Sequence, residues 1–267
     1  MKKLLLSLFV LGLILGLAGC GSSSNVFDFI LDESYDGFVT MATSADYAPY
    51  EWIVEGRDGK STVVGVDIEI AKAIAHALNK NLRVIHKGFD FLIEDVRSGK
   101  VDFIIAGLTP TPSRAEIIDF SQSYYTEESV TQVVLIHQDN VNLYPTVESL
   151  NQAGKRIGAQ TGSIQVEFAQ LFTPLATHKV VADINELMNN LTNKQIEALF
   201  TEGPVAQTRI NAGAPFVQLV LDGVDHFQGN AVGVKKGNTA LLNTINSVID
   251  DLIASGKIAE WLELYSA

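Results

Sequence analysis

The residues best suited to chemistry lie in two short loops and at one strand end. In the first loop Gly107 and Thr109 precede Thr111-Pro112-Ser113-Arg114. Thr111 suits an N-cap and Pro112 the first helical position. Free N–H groups and the positive end of a helix dipole would then face whatever lies in front. Arg114, one turn in, brings a planar guanidinium that grips a carboxylate or another small oxyanion through two parallel bonds. The same residues also describe a capped helix with a solvated arginine. The second loop is Gln160-Thr161-Gly162-Ser163. There Gly162 allows close backbone approach and Ser163 can cap a helix. Glu202 follows the run 197–201 and precedes Gly203-Pro204. Its carboxylate could accept a ligand ammonium, or it could be a solvated loop glutamate. Tyr47, Tyr50, Trp52 and Phe89 fall in or near strand-end loops, and Phe89 and Phe91 read equally well as core residues.

Catalytic signals are poor. There is no Gly-x-Ser-x-Gly elbow, and neither a phosphate-loop nor a dinucleotide glycine pattern occurs. The five histidines are scattered without zinc-helix spacing, and the single cysteine excludes a disulfide framework and a cysteine-rich metal site. No cofactor and no metal are expected. Acidic residues outnumber basic ones 31 to 19, for a net charge of −12, so no basic stripe for nucleic acid is present.

These loops need elements to position them, and 267 residues supply enough chain for about two compact units. Segment 38–43 reads as a strand, 44–55 as loop or short extended chain, and Asp58-Gly59 as a turn. Asp67 suits the cap of a helix whose apolar residues Ala71, Ile74, Ala75 and Leu78 share one face. A strand at 82–86, a helix at 92–98 stopped by Gly99, and a continuous apolar strand at 101–106 complete a β-α-β-α-β rhythm. The rhythm then repeats, with strands at 129–136, 156–159, 180–181, 197–201 and 231–234. Helices are expected after Ser163, after Gly203-Pro204, and from Thr239 and Ile258. Asp183 with Glu186 forms a capping box for one more, to Leu191. The fold class is α/β, as two doubly wound units.

The chain begins with Lys2 and Lys3 ahead of an apolar run, 4–17, shorter than the roughly 20 residues a membrane span needs. It fits a secretory signal. The run ends Leu17-Ala18-Gly19-Cys20 and resembles the bacterial lipoprotein lipobox. That resemblance implies cleavage after residue 19 and lipidation of Cys20, an anchor at the outer face of the cell membrane. Residues 21–25 then read as a flexible tether, and 20–36 is taken as the whole lipidated linker.

Residues 42–51, the Gly65-Val66-Asp67-Ile68 segment, the Gly99-Lys100-Val101-Asp102 turn, the 109–114 run and Asp119-Phe120-Ser121-Gln122-Ser123-Tyr124-Tyr125 look like the amino-acid-binding proteins of ABC importers. The resemblance implies two α/β lobes joined by a two-strand hinge and closing on a ligand. Residues 37–125 and 230–267 would form one lobe and 126–229 the other. It further implies that Arg114 clamps the ligand α-carboxylate, helped by Thr109, by Gly107 beside it, and by Ser163 from the second lobe. Glu202 matches a position, usually Asp, that binds the α-ammonium. Tyr47 and Phe89 match aromatics stacking on the side chain, and Gln160 and Thr201 match positions that tune specificity. Ser44 stands where members binding basic amino acids often carry an acid, which favours a neutral polar ligand such as glutamine. Asp46 or Glu51 could supply the missing charge, so arginine stays open. The implied protein is a monomer without catalytic activity, partnered by a membrane permease and its ATPase. Two alternatives stand beside it: a cleft enzyme of the same fold, resembling cyclohexadienyl dehydratase, and a ligand-sensing lipoprotein.

Overall fold

The computed structural model describes residues 25–125, 131–224 and 229–266. The signal segment and Cys20 lie outside the described residues. Among those described, no helix is long and apolar enough to cross a membrane.

The first lobe opens with β1 (Val26–Phe29) and β2 (Phe38–Thr43). Three short strands follow, β3 (Asp46–Tyr47), β4 (Glu51–Glu55) and β5 (Ser61–Val64), forming a small antiparallel sheet of their own. Then come α1 (Val66–Ala77), β6 (Asn81–His86), α2 (Leu92–Ser98), β7 (Phe103–Ile104), the single turn α3 (Pro112–Ala115) and β8 (Ile118–Tyr125). The second lobe holds β9 (Gln132–His137), β10 (Arg156–Gln160), α4 (Ile164–Phe172), β11 (Thr177–Val181), α5 (Ile184–Thr192), β12 (Ala198–Glu202), α6 (Gly203–Asn211) and β13 (Phe216–Val220). The chain then returns to the first sheet as β14 (Asn230–Lys235) and ends in α7 (Thr239–Ala254) and α8 (Lys257–Ser266).

The first sheet runs β1-β6-β2-β7-β14-β8 and the second β11-β10-β12-β9-β13. Both are mixed. β2 is parallel to β6 and β7, whereas β14 is antiparallel to β7 and β8. In the second, β10 is parallel to β11 and β12, and β9 is antiparallel to β12 and β13. The result is two α/β lobes joined by connecting strands; the links at 126–130 and 225–228 lie outside the described residues.

Each sheet is covered on both faces. Val66, Ile70, Ile74 and Ala75 of α1 pack with Ile245 and Ile249 of α7 over one face of the first sheet, and Leu92 and Val96 of α2 close the other. In the second, Leu187 and Leu191 of α5 with Val205 cover one side, and Ile164, Phe168 and Ala169 of α4 the other. β9 is buried along its whole length, as a strand covered on both faces must be.

Several local expectations change. β1 pairs antiparallel with β6, so Val26–Phe29 belongs to the sheet and not to a tether. The 44–55 stretch, read as loop, carries β3 and β4, with Asp58-Gly59 turning β4 into β5. The apolar run 101–106 pairs as a strand only at Phe103–Ile104, and residues 129–130 of the strand expected at 129–136 lie outside the described residues. Asp67 does not cap α1. Gly65 does, at φ 130, where a Cβ would lie 2.1 Å from the Tyr50 carbonyl oxygen. Asp183 caps α5 by accepting from Asn185 N at 2.7 Å, but Glu186 turns away to Lys179 at 3.5 Å, so the reciprocal half of the capping box is missing.

Candidate functional site

The sheets are arranged so that their parallel strands end at one cleft. Ser44 follows β2, Phe89 follows β6, and Gly107 follows β7, all in the first lobe. From the second lobe come Gln160 at the end of β10 and Glu202 at the end of β12. Carboxyl ends of parallel strands are where open α/β sheets bind ligands. A small cavity there, about 20 Å³, is lined by Tyr47, Phe89, Gly107, Thr109 and Arg114 from one side and by Gln160, Ser163, Gln165 and Glu202 from the other. That volume holds about one water, so the lobes meet closely in this conformation and must part to admit a larger molecule.

Arg114 sits one turn into α3. Thr111 caps that turn, accepting from Arg114 N at 3.3 Å, with Pro112 at its first position. α3 is only 4 residues long, so its dipole is slight and the guanidinium carries the positive charge. Nη1 donates to the Thr109 carbonyl at 2.7 Å, and Nη2 reaches across the cleft to the Gly162 carbonyl at 3.1 Å. The guanidinium lies over the Phe89 ring, 5.4 Å from its centre. Burial pulls its pKa down to about 10, against the charges of Glu167 and Glu202. Phe89 is half-buried in a 3-10 turn at the cleft and packs against the α2 side of the first-lobe core, whereas Phe91 is exposed.

Two glycines make these approaches possible. Gly107 lies at φ +51, and a Cβ on it would meet the Tyr50 ring at 3.1 Å and the Tyr47 ring at 3.3 Å. Gly162, at φ +79, lets the second lobe come against the first, since a Cβ there would lie 3.0 Å from the Cα of Asp90. The close approach expected of Gly162 therefore serves lobe contact. Ser163 occupies the N-cap position of α4 but does not cap it. Its hydroxyl donates to the Gln160 carbonyl at 2.8 Å, which leaves the first N–H groups of α4 without a side-chain cap. Thr201 is not part of the lining; it stands behind Tyr47, sharing a 3.3 Å hydrogen bond between the two hydroxyls across the lobes.

The Glu202 end of the cavity is different in kind. Glu202 is 2% exposed, and its neighbour Asn230 donates to Oε2 at 3.5 Å. Burial pushes its pKa up to about 7, opposed by Tyr50, Asn230 and the charge of Arg114. Beneath it Asp67 accepts from Gly107 N at 2.7 Å, and the Glu51 carboxyl and the Tyr50 and Tyr124 hydroxyls are buried close by without a well-formed hydrogen bond. Burial, then the nearby Asp67 charge, holds the Glu51 carboxyl well above the usual range, and burial raises Asp67 to about 6. Sequence reasoning named Glu51 as a possible charge, Tyr50 as a strand-end aromatic and Asp67 as a helix cap, but not their assembly into one layer under Glu202.

A cation from one lobe and an acid from the other, facing one cavity between them, define a two-lobed solute-binding protein. The chain belongs to the bacterial extracellular solute-binding proteins, family 3, whose model matches residues 39–266. It is 29% identical to the arginine-binding extracellular protein ArtP of Bacillus subtilis, over 97% of this chain and 95% of that one. Among solved structures, an amino acid ABC transporter substrate-binding protein from Streptococcus pneumoniae bound to L-arginine is 30% identical with TM-score 0.80, covering 86% of this chain and 94% of the other. An ancestral arginine-binding protein bound to glutamine is 26% identical with TM-score 0.74, over 86% and 98%. These relatives are described as binding proteins, and the chain is not an enzyme.

Proposed function

We propose that this chain captures a polar L-amino acid between its lobes and delivers it to the permease of an ABC importer. The observation that carries the reading is the pair Arg114 and Glu202, contributed by different lobes to one cavity. A zwitterion offers a carboxylate to the first and an ammonium to the second, and only the closed form lets both grips act together. Ligand binding therefore favours closure, as a population shift requires. Thr109 and Gly107 support the carboxylate end with Ser163, while Tyr47 and Phe89 flank the side chain. Gln160 meets the far end of that side chain, and Thr201 acts on it only through Tyr47.

Arginine is the first choice. The relatives named above support it. Glutamine is the second reading, favoured by Ser44 at a position where an acid would mark a basic ligand, and by the ancestral relative holding glutamine. The division into 37–125 with 230–267 and 126–229 accompanies this reading, as do monomeric state and an anchor on Cys20 at the outer face of the membrane.

A thermal-shift screen against the twenty L-amino acids tests it. A ligand at 100 times its dissociation constant adds about 2.7 kcal/mol, a clear rise in melting temperature for arginine, glutamine or both, and none for their D-forms. A screen in which no amino acid moves the transition contradicts the reading.

A further inference from the structure

Asp46 joins the lobes at a place the family comparison leaves unassigned. It lies in β3 of the first lobe and is almost wholly buried. Its Oδ2 accepts from two groups of the second lobe, Ile184 N at 3.0 Å and Gln160 Nε2 at 3.1 Å, and its Oδ1 accepts from Ser44 Oγ at 2.9 Å. The loop is held further by Ala45 N donating to His86 Nδ1 at 2.9 Å. Gln160 Nε2 also donates to the Ala182 carbonyl at 2.9 Å.

The consequence falls on Gln160. An amide has two N–H donors and one carbonyl acceptor. Here both donors are directed to acceptors outside the ligand cavity, Asp46 and Ala182. The Gln160 side chain nonetheless lines that cavity, so the polar atom it has left to offer is Oε1. Asp46 in turn lines a wider groove of about 680 Å³ on the other side, with Asp183, His86 and Arg209. The Asp46–Gln160 bond is the partition between the two spaces. Arg209 stands on the groove side, donating to Asn185 Oδ1, and leaves the cavity side without a cation other than Arg114 among the residues lining it.

We infer that Asp46 is a positioning residue for side-chain specificity: by holding the Gln160 amide it presents the carbonyl oxygen to the cavity, which therefore selects amino acids whose side chains end in hydrogen-bond donors and refuses those ending in a carboxylate. The inference rests on the amino-acid reading above and narrows it. A guanidinium or a terminal amide meets Oε1 as a donor. A glutamate side chain meets it oxygen to oxygen, with the Asp46 charge behind. A site built around one polarity rejects the wrong partner because buried groups are left unpaired.

Calorimetric titration with L-arginine, L-glutamine and L-glutamate, on wild type and three variants, tests this. Wild type should take arginine and glutamine and bind glutamate at least 100-fold more weakly than arginine. Asp46→Ala frees the Gln160 amide to turn over, and the arginine-to-glutamate ratio should fall at least tenfold. Asp46→Asn can keep both second-lobe bonds on one oxygen and give its amide to Ser44, so most of the discrimination against glutamate should return. In a Gln160→Met background, which has no carbonyl to aim, Asp46→Ala should leave the ratio where Gln160→Met alone puts it. If Asp46→Ala weakens all three ligands by one factor and leaves the ratio unchanged, Asp46 only ties the lobes and the inference is overturned. Should Asp46→Ala fail to fold, an unchanged ratio in Gln160→Met overturns it equally. Wild type that binds none of the three contradicts the amino-acid reading itself, and wild type that binds glutamate as well as arginine contradicts this inference alone.

Discussion

The two ends of the cavity are built on opposite principles. At the Arg114 end the guanidinium already donates to the carbonyls of Thr109 and Gly162 and lies over the Phe89 ring. At the Glu202 end, buried acids and hydroxyls stand with few partners, and burial has raised the pKa of each carboxyl. The first end is a preformed fork that a carboxylate enters by replacing weaker partners. The second is a cluster of buried carboxyls that burial holds toward the neutral form and that an ammonium draws into ionisation. Orientation should thus come from Arg114, and pH dependence from Glu202.

The largest effect should come from breaking the fork. Truncating one partner of a buried charge pair costs about 2–5 kcal/mol, so Arg114→Ala should weaken binding by roughly tens- to thousands-fold at about 1.4 kcal/mol per tenfold. Arg114→Lys should recover only part, since a point charge lacks the fork. Calorimetry on folded protein checks both.

Glu202→Gln should cost less, about 1.5–3 kcal/mol of charged hydrogen bonding, read in the same titration. Unlike the arginine variant, it should raise the melting temperature of the ligand-free protein, because it removes a buried ionisable acid.

The pH dependence follows with opposite signs for folding and for binding. Glu202 at about 7 and Asp67 and Asp46 at about 6 are all raised above their unfolded values. Such groups contribute stability that is present below about pH 4 and lost as pH rises through 6 to 7. The ligand-free protein should therefore melt higher at pH 5 than at pH 8. Binding needs ionised Glu202, so affinity should fall below pH 7 by up to about tenfold per unit, and Glu202→Gln should flatten that slope. A wild-type affinity constant from pH 5 to 8 would remove Glu202 from the ammonium role.

The smallest effect separates the lobe contact from the ligand contact. Tyr47→Phe keeps the ring and loses the bond to Thr201, about 0.5–1.5 kcal/mol. Affinity should drop no more than about tenfold in titration, whereas Tyr47→Ala should drop it further.

The contrast between the two ends also sets what the sequence could reveal. Arg114, Thr111 and Pro112 act through local spacing, so the fork was legible, as were α2 with its Gly99 stop and α6 with Pro204. β1 was not, because four residues gain strand character only by pairing with β6, more than fifty positions away. Asp67 suited an N-cap by type, yet its partner is Gly107, forty residues on. Ser163 likewise suited a cap, but Gln160 presents a carbonyl to its hydroxyl first. Thr201 was named only through the family resemblance; its hydroxyl bonds to that of Tyr47, from the other lobe. Except at Ser163, whose partner is three residues away, what escaped the sequence was a contact between distant segments.

One comparison tests the two-ended grip most directly. Wild-type protein is titrated with the L-amino acid that gives the largest thermal shift, and then with the amine left when that amino acid loses its α-carboxylate. The grip described here predicts that the amine binds at least about 100-fold more weakly, the scale on which a lost buried charge pair is felt. Equal affinity for the two would contradict it, because nothing would then be entering the Arg114 fork.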